Sequence, residues 1–214
     1  MRKLVLKMSM SLDGFVAGPK GELDRLFHHS DQEAIAWTVA AISDASLHIM
    51  GSKTFRDMVA WWPYADDAFT PPMNTIPKAV FTKHGAASIK TAASTQALKD
   101  AKAFREKEGG QAKPADPVVL KGWADAYVAE GPLVDEIGEL KAIDGKPIVA
   151  HGGAGFARSL IAAGVVDEFK LLVHPVALGR GLTIFSDMST PMSLQLVSAT
   201  PFPGGAIGRI YRTV

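Results

Sequence analysis

The stretch Pro147-Ile148-Val149-Ala150-His151-Gly152-Gly153-Ala154-Gly155-Phe156 decides the fold of this chain. An apolar run ends in a cluster of glycines, and a helical pattern over residues 156–163 follows at once. This order predicts a buried strand, a tight turn and a helix. A second unit of the same kind has a strand over 47–50, a turn over 51–53 and a helix over 54–60. Two such units indicate parallel strands that are connected by helices.

The same reading extends to both ends of the chain. Residues 3–10 alternate between apolar and polar side chains, which predicts the first strand. A turn-rich loop over 11–19 follows, and Asp31 then fits the N-cap of a helix. Residues 78–82 predict a further strand. The inward face of the helix after Asp31 is predicted to carry Ile35, Val39 and Ile42.

The C-terminal part changes character. Residues 168–174, 192–199 and 206–213 are strand-like runs with no helical pattern between them, which predicts an antiparallel edge. The sequence therefore predicts an α/β fold in which helices cover both faces of a mainly parallel central sheet with antiparallel C-terminal edge strands.

The middle of the chain is less patterned. Residues 95–108 predict a helix that Gly109-Gly110 would stop, and 133–140 predict another that begins after Pro132. Residues 109–117 resemble an exposed linker inside one domain, because neither flank is long enough for a core of its own. We therefore expect residues 1–214 to form a single domain.

Composition excludes several classes of function. The 23 basic and 22 acidic residues give a net charge of +1, so no overall field attracts nucleic acid or a membrane. The chain has no cysteine, which excludes disulfides and thiolate metal sites and favours a cytoplasmic location. The six histidines show no metal-ligand spacing, so no metal is expected. No apolar stretch approaches the roughly 18 residues of a membrane span.

The glycine cluster at 152–155 suits a phosphate group, because backbone N–H groups between a strand and a helix can approach it without a Cβ in the way. The alternative is a plain tight connection. The pattern differs from a Rossmann fingerprint, because Arg158 stands where the third glycine belongs and Val173 where an acid would meet the ribose.

Gly51-Ser52-Lys53-Thr54 is a second candidate phosphate turn. Thr54 can cap the helix or bind a pyrophosphate oxygen, and Lys53 can neutralise charge. The alternative is a capped helix with a solvated lysine. A Walker A loop is excluded because Ser52 precedes Lys53. Two such turns at the carboxyl ends of parallel strands favour a nucleotide site.

Cations and one carboxylate complete the candidates. Lys53, Lys83 and His84 follow predicted strands, which favours NADP over NAD, although each could be a solvated surface charge. Asp13 follows the first strand in a glycine-flanked loop, where it could donate a proton or bind substrate. Its alternative role is an Asx-turn with Gly14.

Four motifs in order resemble one family. They are Ser9–Ala17 (SMSLDGFVA), Ile49–Phe55 (IMGSKTF), Gly152-Gly153 and Val173–Gly181 (VHPVALGRG). The chain resembles the reductase domain of bifunctional riboflavin-biosynthesis deaminase-reductases, a domain similar to dihydrofolate reductase. The resemblance covers residues 2–213, with 84–125 as an apparent insertion.

The resemblance implies a dihydrofolate reductase-like three-layer sandwich that binds NADPH and a small-molecule substrate and commonly pairs into a homodimer through the C-terminal sheet region. On the substrate side it implies Ser11, Asp13 and Gly14, with Asp13 as the catalytic candidate. On the cofactor side it implies Ala17, Gly51, Ser52, Lys53, Thr54, Thr82, Lys83, Gly152, Gly153, Ala154, Gly155 and Phe156.

Departures from dihydrofolate reductase leave the substrate open. Ser52 replaces the arginine that usually follows the first glycine, and Ala34 stands where the pterin-protonating acid belongs, with Glu33 beside it. The absence of cysteine excludes an attached zinc deaminase. The leading hypothesis is hydride transfer from NADPH to a C=O or C=N bond of a small heterocyclic or ring-bearing substrate. The alternatives are a non-catalytic NADP-binding module and a genuine dihydrofolate reductase.

Overall fold

The computed structural model describes residues 1–27, 31–90, 95–109 and 111–214. Within these ranges eight strands form one sheet in the order β4-β3-β2-β5-β1-β6-β8-β7. The strands are β1 (Leu4–Ser11), β2 (Leu47–Gly51), β3 (Lys78–Phe81), β4 (Tyr127–Ala129), β5 (Ile148–His151), β6 (Glu168–His174), β7 (Leu194–Pro201) and β8 (Ile207–Thr213). The helices are α1 (Asp24–Phe27), α2 (Gln32–Ser43), α3 (Ser52–Val59), α4 (Thr70–Thr75), α5 (Gln96–Lys107), α6 (Pro117–Ala124), α7 (Leu133–Ala142) and α8 (Ala154–Ala162).

The pairing of the strands confirms the predicted fold class. Strand β1 pairs in parallel with β5 on one side and with β6 on the other. Strands β2, β3, β4 and β5 pair in parallel with their neighbours and continue this part of the sheet. The helices that connect consecutive strands allow this parallel direction. Strand β8 pairs antiparallel with both β6 and β7, so the last two strands form the antiparallel edge.

Two apolar layers hold the helices against the sheet. Leu4 and Leu6 of β1 point to one face, where they share a core with Leu160 of α8. Val5 points to the opposite face, where it packs with Ile42 of α2 and Phe55 of α3. A strand that is apolar on both faces must be covered on both, so the period of two along β1 produces the three layers.

Helix α2 begins where it was predicted, and small residues make up most of its buried face. Asp31 caps it by accepting a hydrogen bond from the Ala34 backbone N–H at 2.9 Å. The buried residues are Ala34, Thr38, Ala41 and Ile42, so the prediction is confirmed for Ile42, whereas Ile35 and Val39 are only half-buried. Small side chains let the helix approach the sheet closely. The ring of Trp37 also lies directly over Gly208 of β8, where a Cβ would be 2.8 Å from Trp37 Cε2.

The boundaries around the glycine turns differ slightly from the prediction. Strand β2 continues through Gly51 and α3 begins at Ser52, so no separate turn occupies 51–53. Helix α8 begins at Ala154, two residues before the predicted start. In both units the helix follows the strand almost directly, which places the helix N-terminus at the edge of the sheet.

The apparent insertion at 84–125 contains α5 and α6, and β4 follows it. No periodic pattern predicted α6 or β4, because both are short and α6 is mostly exposed. His28, His29, Gly110 and residues 91–94 lie outside the described residues. None of the helices in the described ranges is long and apolar enough to cross a membrane.

Candidate functional site

The candidate residues meet at the carboxyl-terminal edge of the parallel strands. Strands β1, β2, β3, β5 and β6 all run in the same direction, so the loops that follow them lie at one edge of the sheet. Open α/β sheets bind ligands at this edge, in the crevice outside the strand ends. The edge carries the loop over 12–18, the α3 and α8 N-termini, the loop over 82–85 and the loop over 175–182.

The two predicted phosphate turns contact each other. The Gly153 backbone N–H donates a hydrogen bond to Thr54 Oγ1 at 3.1 Å. A Cβ added at Gly51 would lie 3.2 Å from the Cβ of Phe156. The N-termini of α3 and α8 are therefore adjacent, and both present unpaired N–H groups and the positive ends of their dipoles. This arrangement suits a pyrophosphate group.

Close approach, not backbone conformation, explains the glycines of the second turn. Neither Gly152 nor Gly153 lies in the left-handed region, and the φ of Gly153 is 10°. A Cβ at Gly152 would lie 2.5 Å from Met8 Sδ, and one at Gly153 would lie 2.9 Å from Thr54 Oγ1. Around Gly155 the space is open, and Ala154 behind it is buried. The turn therefore packs closely against Met8 and Thr54, whereas the space around Gly155 is unobstructed.

The predicted cationic residues lie at the neighbouring strand end. Lys53 and Lys83 are exposed, as is His84. The hydroxyl of Thr82 is buried and shares a 2.8 Å hydrogen bond with Ser88 Oγ, so Thr82 organises the loop. The hydroxyl also accepts from the His84 backbone N–H at 3.1 Å. The exposed side chains of Lys53 and Lys83 can therefore contact an anionic ligand at the sheet edge.

Asp13 is held by three hydrogen bonds. Ser11 Oγ donates to Asp13 Oδ1 at 2.6 Å, and the backbone N–H groups of Leu178 and Gly179 donate to its carboxylate at 3.1 and 2.7 Å. The Ser11 hydroxyl and then these N–H groups lower the pKa of Asp13 to about 2. The carboxylate is ionised at neutral pH. Of the two roles predicted for Asp13, this favours hydrogen-bond acceptance over proton donation.

The Asp13 loop is one half of a paired ribbon. The Val16 N–H donates to the Leu182 carbonyl at 2.8 Å, and the Leu182 N–H donates to the Ala17 carbonyl at 2.9 Å. Gly181 packs against the Ala17 carbonyl with no room for a Cβ. Gly14 has φ of 86°, a conformation that favours glycine. The loops over 12–18 and 175–182 therefore act as one wall of the site.

A lysine that the sequence analysis missed lies on the floor of the site. Lys7 is in the middle of β1, paired in register with His151 of β5 and Lys170 of β6, so these side chains point to the face that α2 covers. Burial lowers the pKa of Lys7 to about 8. No carboxylate among the described residues forms an ion pair with it. The signal that could have found it was a lysine in a strand of a mainly parallel sheet, whose two faces are both expected to be covered.

Two buried histidines stand beside Lys7. The rings of His48 and His151 are perpendicular with centroids 4.5 Å apart, and His48 Nε2 lies 2.9 Å from the Ile42 carbonyl oxygen. That carbonyl is an acceptor, so Nε2 carries the proton. Burial, and secondarily Lys78, lowers the pKa of His48 to about 4. Burial, followed by the charges of His48 and Lys7, holds the pKa of His151 well below its ordinary value.

Several buried polar atoms of this floor have no hydrogen-bond partner among the described residues. They are His48 Nδ1, His151 Nε2 and the hydroxyl of Thr38, which lies one turn before Ile42 on the buried face of α2. Buried polar groups are normally paired, so an unpaired group calls for an explanation. Together with Lys7 they make a polar floor beneath the two glycine turns.

The buried histidines predict acid sensitivity. The ordinary pKa of histidine is 6.5, and the pKa of His48 in the folded protein is about 4. At pH values between these two, the unfolded chain binds more protons than the folded one. The free energy of unfolding should therefore fall as the pH drops through this window, by on the order of 2 kcal/mol between pH 7 and pH 5. Urea unfolding at a series of pH values measures it. His48→Gln keeps a donor for Ile42 and should flatten the slope; an unchanged slope would contradict the assignment.

The acid of dihydrofolate reductase has no counterpart on the inner face of α2. Ala34 is fully buried in a cluster with Leu172 and Phe202, and the side chain of the adjacent Glu33 is exposed. Across the described ranges, no three His, Asp or Glu residues are grouped so that they could hold a metal ion.

Comparison with known proteins finds one similar sequence and several similar structures. The chain is 25% identical over 215 residues to the uncharacterized protein YyaP of Bacillus subtilis, covering 98% of this chain and 94% of YyaP. A solved protein of Shewanella sp. PV-4, described as belonging to riboflavin biosynthesis, has a TM-score of 0.68 at 19% identity over 99% of both chains. Dihydrofolate reductase of Enterococcus faecalis, solved with NADP(H), has a TM-score of 0.57 at 14% identity over 99% of this chain and 96% of its own.

These structural likenesses confirm the dihydrofolate reductase-like fold. The sequence profile of the RibD C-terminal domain matches residues 2–207, almost the whole chain. The match includes the Ser11 to Gly14 loop, both glycine turns and the 173–181 stretch, on which the resemblance rested. The chain therefore belongs to the RibD C-terminal domain family.

Proposed function

We propose that this protein is an NADPH-dependent reductase that transfers a hydride to a C=O or C=N carbon of a small ring-bearing substrate. The observation that carries the proposal is the contact between Gly153 and Thr54, which joins two helix N-termini above the polar floor of Lys7. A cytoplasmic location and a single reductase domain over residues 1–214 are part of the proposal. The family and the cysteine-free composition support it.

The residues at the sheet edge fit a dinucleotide. The N–H groups of Lys53 and Thr54 and those of Ala154, Gly155 and Phe156 stand at the starts of two adjacent helices, where they can bind a pyrophosphate. Around Gly155 the space is open, so no side chain of the turn obstructs a phosphate there. Lys83 and the loop that Thr82 organises would bind the adenosine end, and Ala17 would line the nicotinamide end.

The reduction needs a hydride and a proton. The reduced nicotinamide supplies the hydride when it is bound. We assign the proton to Lys7, because this lysine lies beside the end of β5 next to the glycine turn and has a pKa of about 8, close to neutral pH. The Lys7 N–H bond breaks as the O–H or N–H bond forms on the substrate heteroatom, and solvent reprotonates the amine. His151 and Thr38 can hydrogen-bond the same heteroatom and so orient the substrate.

The alternatives make different demands on the site. A non-catalytic NADP-binding module would keep both glycine turns but would have no use for a buried lysine such as Lys7. A dihydrofolate reductase requires an acid near the pterin, whereas Ala34 is buried and Glu33 faces solvent. Incubation with NADPH and a panel of dihydrofolate, ribosylamino-pyrimidine and carbonyl compounds, followed at 340 nm, separates the three functions. Turnover of dihydrofolate alone, or of no compound, would contradict the proposal.

We expect NADPH to bind about tenfold more tightly than NADH, because Lys53 and Lys83 can pair with the 2′-phosphate. Fluorescence titration with both cofactors measures the ratio. Lys83→Gln should reduce the preference, whereas the exposed Lys20, outside the predicted cofactor residues, provides a control as Lys20→Gln. The carboxylate of Glu130 lies close to Gly85, two residues after Lys83, and its Oε1 would be 3.5 Å from a Cβ added to Gly85. Equal affinity for both cofactors in the parent protein would contradict the predicted preference.

We also propose a homodimer that forms through the C-terminal sheet region. Strand β7 is the edge of the sheet and is paired only through β8, so one row of its backbone groups is open. Leu196 and Val197 on this strand are 53% and 43% exposed. Exposed apolar edge strands favour pairing with another chain. Light scattering at micromolar concentration should give twice the monomer mass, and a monomeric mass would contradict the dimer.

A further inference from the structure

Two buried histidines stand in series beside Lys7. His151 is the last residue of β5, directly before the glycine turn, and it pairs in register with Lys7 of β1. Strand β5 lies between β1 and β2, and His48 of β2 contacts His151 from that other side. The two imidazole rings are perpendicular, with centroids 4.5 Å apart. The pair therefore connects the proposed proton donor to the interior of the protein.

The contacts of His48 determine its tautomer. His48 Nε2 lies 2.9 Å from the Ile42 carbonyl oxygen, which can only accept, so Nε2 carries a proton. Burial, and secondarily Lys78, lowers the pKa of His48 to about 4, so the ring is neutral at neutral pH. Its second nitrogen, Nδ1, therefore has no proton and can only accept. This buried nitrogen has no donor among the described residues, which costs free energy.

His151 has the complementary need. Its Nε2 is also buried and has no hydrogen-bond partner in the described part of the chain. Burial holds the pKa of His151 well below its ordinary value, so this ring is neutral too and has one proton to place. A proton on His151 Nε2 can be donated to His48 Nδ1 after a small rotation of rings that already touch, which satisfies both atoms. A proton on Nδ1 would instead leave two buried acceptors without a donor.

This tautomer determines what His151 offers to Lys7. With the proton on Nε2, Nδ1 of His151 becomes an acceptor. The Lys7 ammonium has only donors, its charge acts on His151, and no carboxylate of the described residues forms an ion pair with it. A carboxylate would orient the ammonium but would also raise the pKa of Lys7. A neutral imidazole can orient it without adding a negative charge.

We propose that His48 and His151 are positioning residues for Lys7. The Lys7 ammonium donates to His151 Nδ1, and His151 Nε2 donates to His48 Nδ1. The bond from His48 Nε2 to the Ile42 carbonyl anchors this series on α2. The inference rests on the proposed reductase function, because it concerns the donor that we assign to that reaction. One N–H of Lys7 is held toward β5 and the others are left for the substrate, while both histidines stay neutral throughout.

The test reads the tautomers directly. In protein labelled with nitrogen-15 in histidine, nitrogen chemical shifts and long-range couplings distinguish protonated from unprotonated ring nitrogens. We expect His151 of the parent protein to carry its proton on Nε2 at neutral pH. His48→Leu should abolish this preference. His48→Gln should keep it, because the glutamine amide can donate to Ile42 while its oxygen accepts from His151.

Turnover provides a second readout. His48→Leu should lower kcat about tenfold and leave KM and NADPH affinity nearly unchanged, because only the orientation of the Lys7 ammonium is lost. His48→Gln should restore most of this loss. Met50 is buried on the same face of β2, two residues further along, and provides the matched control as Met50→Leu. This variant should keep the turnover and the tautomers of the parent protein.

A third unpaired atom gives the competing explanation a test of its own. The Thr38 hydroxyl is buried on the face of α2 that carries Ile42, so it could supply the donor for His48 in place of His151. We expect Thr38→Val to leave the tautomer of His151 unchanged. A changed tautomer in a folded Thr38→Val variant would overturn the inference.

The outcomes separate the inference from the proposed function. A proton on Nδ1 of His151 in the parent protein would overturn the inference, as would an unchanged tautomer in a folded His48→Leu variant. Melting temperatures establish that the variants are folded, and the parent measurement decides the tautomer even if His48→Leu is unstable. Failure of NADPH to bind in a separate titration would contradict the reductase function, while the tautomers would still be measured in the protein alone.

Discussion

Replacing Gly153 by valine is expected to lower NADPH affinity by at least about a hundredfold while the protein stays folded. The added Cβ would lie 2.9 Å from Thr54 Oγ1, so it must push the two glycine turns apart. The valine methyl groups would also occupy the space through which a pyrophosphate approaches the backbone. Loss of the hydrogen bond from Gly153 to Thr54 should cost only about 1 kcal/mol of stability. Cofactor affinity and melting temperature should be measured on the same sample.

Two variants control for this change. Gly138→Val makes the same substitution on the exposed side of α7, where a Cβ meets nothing within 4 Å, and should leave NADPH affinity unchanged. Thr54→Val removes the hydroxyl acceptor but leaves Gly153 intact, so it measures the contribution of the hydrogen bond alone. A folded Gly153→Val protein that binds NADPH like the parent would mean that the glycine turn is only a connection.

Replacing Lys7 by methionine is expected to lower turnover at least about a hundredfold and leave NADPH affinity nearly unchanged. Methionine fills a similar volume but cannot donate a proton. The melting temperature should stay the same or rise, because the substitution removes a charge whose burial is not compensated by an ion pair. Loss of activity together with unchanged or greater stability is a combination that a purely structural lysine would not give.

The pH dependence provides an independent check on Lys7. In the parent protein turnover should decline above about pH 8, where the ammonium loses its proton. The unfolded lysine keeps its proton up to the ordinary lysine pKa of 10.5, so the free energy of unfolding should rise between pH 8 and pH 10.5. Lys7→Met should remove that rise. Lys20→Met, which removes an exposed lysine outside the strands, serves as the control. Full activity in Lys7→Met would exclude Lys7 as the proton donor.

Most of the fold could be predicted from local patterns. The alternation in β1 and the apolar runs before Gly51 and Gly152 determine which segments become buried strands, and their spacing requires helices between parallel strands. Asp31 was recognisable as a cap because an N-cap acts within three residues. The short α6 and β4 escaped because their few residues carry too little periodicity, and β4 is stabilised mainly by pairing with β3.

The candidate site divides in the same way. Both glycine turns could be located from the sequence, because a strand, glycines and a helix that follow one another form a local pattern, and their role as a phosphate site stays a prediction. Lys7 was missed because its environment is formed by His151 and Lys170, which are distant in the chain. Asp13 was found as a residue, but its charge state depends on Leu178 and Gly179, 165 and 166 positions away.

The sequence by itself determined the α/β class, the direction of the sheet and the position of the two glycine turns, because these follow from periodicity and from residues adjacent in the chain. Only the tertiary structure decided that the Gly153 N–H meets Thr54 and that Lys7 lies on a polar floor without an ion-pair partner. Burial and hydrogen-bond partners set the chemistry of a side chain, and both depend on contacts between residues that are distant in sequence.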